Sequence, residues 1–101
     1  MGVLICCSVL GLFSCKRVMN EFSVRDPEGV VSSAELQLCG ENRELRTADG
    51  AFKGRLPISC EGEGRISIRF EDASQTTCHV GYVTPGAEQA FDFVVRNREC
   101  R

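Results

Sequence analysis

Apolar and polar residues alternate in short bursts along most of this chain. The clearest burst sets Ala34, Leu36 and Leu38 between Glu35, Gln37 and Cys39. That period of two marks a strand with one buried face. Similar bursts place Phe22 and Val24 on one side, then Phe52, Leu56 and Ile58, then Ile66, Ile68 and Phe70. Cys78, Val80 and Tyr82 form the next inward set, and Phe91, Phe93 and Val95 the last. The pattern predicts seven strands, at 21–25, 34–39, 43–47, 51–58, 65–70, 77–83 and 89–96. No stretch holds a helical period of 3.6.

Turn residues punctuate these strands. In Asp26-Pro27-Glu28-Gly29, Pro27 presets its own φ, Asp26 can bond the backbone that follows, and Gly29 accepts an unusual φ. Gly40-Glu41-Asn42, Ala48-Asp49-Gly50, the run 60–64, the polar loop 71–76 and Thr84-Pro85-Gly86 supply the others. Pro57 demotes the end of its strand to an edge or a bulge, because it has no N–H to give a ladder. Seven short strands at this spacing read as an all-β, seven-stranded antiparallel β-sandwich.

Charge divides the chain into two regions. All twelve Lys and Arg and all fourteen Asp and Glu lie from Lys16 onward. The apolar run 3–13 is too short for a bilayer, which needs roughly 20 residues, and has the form of a signal-peptide h-region. Leu12-Phe13-Ser14-Cys15 resembles the lipobox of bacterial lipoproteins. That resemblance implies cleavage before Cys15 and a diacylglyceryl thioether on its thiol. The expected organisation is a signal peptide at 1–14, a tether at 15–20 and one β-sandwich domain at 21–101. Plain secretion with cleavage near Ser14 is the neighbouring reading. A third is a cytosolic anchor, with Met1-Gly2 myristoylated and Cys6 and Cys7 palmitoylated.

The body also resembles the carboxypeptidase regulatory-like, or transthyretin-like, β-sandwich family. The resemblance lies in Val24-Arg25-Asp26 with Gly29 and Val30, in the segment 33–38, in the turn 47–52 (TADGAF), and in Leu56-Pro57. It implies a transthyretin-like (prealbumin-like) Greek key and a non-catalytic binding or stabilising module, with no shared active-site residues to carry over. Four body cysteines, Cys39, Cys60, Cys78 and Cys100, allow three pairings. In the transthyretin-like arrangement the strand ending at Cys39 lies beside the strand following Cys60, which implies disulfides Cys39–Cys60 and Cys78–Cys100. Each would contribute about 3 kcal/mol by restricting the unfolded chain, which matters for a body near the lower size for a self-sufficient core.

Little in the remaining chemistry suggests a reaction. His79 is the only histidine, and its parity sets it opposite Cys78, Val80 and Tyr82 without an identifiable nucleophile. Asp26 and Asp49 belong to turns, and Glu61 and Glu63 flank glycines without a Ca²⁺-loop pattern. Cysteine spacings near twenty do not match zinc sites built from close C-x-x-C pairs, so no metal or cofactor is expected. There is no basic stripe with interleaved aromatics for nucleic acid, and without Trp an aromatic sugar-binding surface is disfavoured. The expected function is an interaction or structural module of the bacterial envelope, anchored to the membrane by lipid and contacting another envelope protein. The alternative is a secreted enzyme inhibitor or small-ligand carrier.

Overall fold

The computed structural model describes residues 19–86 and 88–101. The expected leader, the lipid-bearing Cys15 and most of the tether lie outside the described residues. Nine strands follow: β1 (Met19–Arg25), β2 (Val31–Leu38), β3 (Glu41–Glu44), β4 (Arg46–Ala48), β5 (Ala51–Pro57), β6 (Gly62–Phe70), β7 (Gln75–Val83), β8 (Ala90–Arg96) and β9 (Glu99–Cys100). No helix occurs among the described residues. The strands form two sheets in a β-sandwich-like arrangement, ordered β4-β5-β1-β8-β9 and β3-β2-β6-β7. The pairings are antiparallel except β1 with β8, which run parallel.

Burial follows the alternation. Phe22 and Val24 of β1, Phe52 and Leu56 of β5, and Val95 of β8 face Ala34, Leu36 and Leu38 of β2, Ile66, Ile68 and Phe70 of β6, and Cys78 of β7. The Phe22 ring stacks on Phe91, with centroids 4.9 Å apart, a favourable contact beyond simple burial.

The strand expected at 43–47 is instead two strands. Leu45 is buried within an otherwise exposed run, and its N–H donates to the Ala34 carbonyl at 2.9 Å. Before Leu45 the chain pairs with β2; after it, Arg46 pairs with Lys53 of β5. One apolar side chain thus turns a sheet corner. The ninth strand arises because Asn97 and Arg98 both take positive φ (52° and 63°). They make a two-residue turn that sets Glu99 opposite Arg96.

The inward set of β7 also departs from the simple alternation. Gly64 pairs with Gly81 and Arg65 with His79, leaving Val80 as an extra residue. Such a bulge reverses the inward parity beyond it. Val83 therefore enters the core, and Tyr82, expected on the face of Cys78, is 65% exposed. The first turn after β2 is Cys39-Gly40, one residue earlier than expected, with both residues at positive φ.

Candidate functional site

Both disulfides join the cysteines expected to pair. Cys39, in the turn between β2 and β3, bonds Cys60 in the connection between β5 and β6. Cys78 of β7 bonds Cys100 of β9, linking the two sheets. Cys78 lies mid-strand, opposite Ile66, rather than at a strand end. Among the described residues no cluster of three or more His, Cys, Asp or Glu is placed to hold a metal ion.

The acidic residues singled out in the sequence do local work. Asp26 is 9% exposed, and its carboxylate accepts N–H bonds from Val30 (3.2 Å) and Val31 (2.9 Å). Its own carbonyl accepts from Gly29 N–H at 3.1 Å, and Gly29 has φ 67°. Asp49, at φ 53°, opens the two-residue turn Asp49-Gly50 between β4 and β5. Glu61 accepts a hydrogen bond from the Tyr82 hydroxyl at 3.2 Å. Glu63 pairs across strands with Tyr82.

His79 stands on the outer face of the four-stranded sheet. Its cross-strand neighbour there is Arg65, not a hydroxyl or a thiol. Register then runs from Arg65 to Gln37 and from Gln37 to Asn42. The four strands thus present one polar row, Asn42–Gln37–Arg65–His79. Arg65 Nε donates to Gln37 Oε1 at 2.7 Å, and Gln37 Nε2 donates to Glu35 Oε1 at 3.4 Å. The row lines an open groove of about 530 Å³ with Glu63 at its rim. This groove can hydrogen-bond a polar ligand or an extended peptide. It holds no nucleophile–base pair of the kind covalent catalysis requires.

A second cluster forms where the β6–β7 loop meets the β8–β9 turn. The Arg98 guanidinium lies 4.9 Å from the Phe70 ring centroid and makes an ion pair with Asp72 at 2.9 Å. Arg98 Nη1 also donates to the Ser74 hydroxyl at 2.9 Å. The Asp72 carboxyl is held below the usual carboxylate range, first by the Ser74 hydroxyl and then by the Ser74 N–H, with desolvation opposing them and Arg98 adding to them. Neither Asp72 nor Arg98 stood out in the sequence; the signal is only visible once two distant turns are adjacent. The cluster ties one sheet to the other at one end of the sandwich.

No protein-family model, curated protein or solved structure matches the chain.

Proposed function

We propose that this protein is a non-catalytic, exported β-sandwich of the carboxypeptidase regulatory-like, transthyretin-like kind, acting as an interaction or structural module of the bacterial envelope. In this reading Cys15 carries the lipid that holds it to the membrane, and the partner is another envelope protein. The observation that carries the proposal is the pair of disulfides in so small an all-β body. Disulfides persist in oxidising compartments and are compatible with an extracellular location. The uncharged apolar run ahead of Lys16 and the lipobox-like 12–15 agree with that address.

Topology supports the family assignment. β2 lies beside β6 and antiparallel to it, as the transthyretin-like arrangement requires. The passages β1 to β2, β3 to β4, β5 to β6 and β7 to β8 each lead from one sheet to the other, in keeping with a Greek key. The groove on the outer face of the four-stranded sheet offers hydrogen-bonding groups suited to contact rather than to bond cleavage. Intact mass of the protein from a membrane fraction tests the proposal. A chain beginning at Cys15 with acyl additions and two disulfides is expected. An unacylated chain cleaved near Ser14 and recovered from the medium would favour a secreted inhibitor or carrier, and an acylated Gly2 would overturn export.

A further inference from the structure

The two outer faces of the sandwich differ in charge. On the five-stranded sheet, parity points Arg25, Arg46, Lys53, Arg55 and Arg96 outward, against Glu21, Asp92 and Glu99. On the four-stranded sheet, Glu35, Glu44 and Glu63 stand against Arg65 and Arg69. One face is thus net positive by two (five less three), and the other net negative by one (three less two), in a chain whose formal charge is −2.

Each face sets one like-charged pair in register, Glu35 with Glu44 on the four-stranded sheet and two cations on the five-stranded one. Arg46 and Lys53 are direct cross-strand partners, and like charges so placed repel. The ion pairs found on this face and at its β9 margin are Arg55–Glu21 and Arg101–Glu99. Among the described residues neither Arg46 nor Lys53 has such a partner. Between them and β1 lies a shallow groove of about 550 Å³ over Ser23, Ala48 and Gly54. Local rules are broken most often where function requires it.

We infer that the outer face of the five-stranded sheet docks against a membrane surface bearing anionic phospholipid headgroups. Charge complementarity selects the occupant, and this inference rests on the membrane-anchored reading above for its geometry. From Cys15 to the start of β1 at Met19 is four residues, which reach at most about 14 Å fully extended. An anchor at Cys15 therefore keeps this sheet, with β1 at its centre, within reach of the headgroups. Lys16 and Arg17 add two more cations on the way.

The chain from residue 15 onward with Cys15→Ser, which lacks both the apolar leader and the lipid, isolates the face from any anchor. Sedimentation with phosphatidylcholine vesicles, with and without phosphatidylglycerol, reads the binding. Binding only to the anionic vesicles, weakening as salt rises, is expected. Arg25→Gln, Arg46→Gln and Lys53→Gln together should weaken it by roughly fivefold per cation, or about a hundredfold. Arg65→Gln with Arg69→Gln, on the other face, should leave it nearly unchanged. Equal losses per charge removed in the two sets would show a net-charge effect and overturn the inference. So would binding indifferent to phosphatidylglycerol, or displacement by inorganic phosphate at constant ionic strength, which would mark a site for a soluble anion. Loss of the anchor reading, by an unacylated native mass, together with a retained anionic preference would leave the docking face standing.

Discussion

Asp26 shows how one turn residue can serve the whole sandwich. Its buried carboxylate accepts two backbone N–H groups as the chain leaves one sheet for the other. Hydrogen bonds to a charged group contribute more than neutral ones. Asp26→Ala should lower unfolding stability by about 2 kcal/mol in a urea titration, and Asp26→Asn by less, since Oδ1 can still accept. Asp72 works on the surface and calls for a different probe. Because its pKa is depressed in the folded state, its carboxylate favours folding above the unfolded value, near 4. That contribution fades as pH falls through the folded value, below the ordinary carboxylate range. In a carboxyl NMR titration, Ser74→Ala should raise the Asp72 midpoint, because the Ser74 hydroxyl is the largest single cause of its depression, and Arg98→Ala should raise it too. The Asp26 role was legible in its turn motif. The Asp72 cluster was not, because its partners lie 26 residues apart.

At the scale of elements, alternation located every major strand and most of the core, because one buried face imposes period two on any half-exposed strand. It missed what interrupts the period. The Val80 bulge moved Tyr82 outward and brought Val83 in, and the clue was a glycine in each of two neighbouring strands, Gly64 and Gly81. Leu45, one apolar residue in a polar run, marked a corner and not a strand interior. The Asn97-Arg98 turn carries no glycine, so its reversal was hidden, although Asn tolerates positive φ well. The bulge yields its own test. A Cβ on Gly64 would meet Leu38 Cδ1 at 2.8 Å and Val80 Cβ at 3.4 Å. Leu38 is a core residue and Val80 Cβ is fixed to the backbone, so Gly64→Ala should cost about 1–3 kcal/mol, measured by thermal or urea unfolding.

For the molecule as a whole, the sandwich is small, and two covalent ties supplement its core. The cysteine spacing alone left three pairings open; the family resemblance singled out one, and that pairing is the one found. The charge difference between the two outer faces could not be read from the sequence. It depends on which strands share a sheet, and the corner at Leu45 decides that for Arg46. The cysteine pairs span 21 and 22 residues, so each contributes about 3 kcal/mol by the chain-entropy relation. Reduction of both should leave the domain largely unfolded at ambient temperature, with loss of strand signal in far-ultraviolet circular dichroism. The most direct test of the account is non-reducing peptide mapping, by mass spectrometry, of protein isolated from its native source under thiol block. The account predicts peptides joined as Cys39–Cys60 and Cys78–Cys100. Crossed pairs, or all four of these thiols recovered in the blocked form, would contradict it.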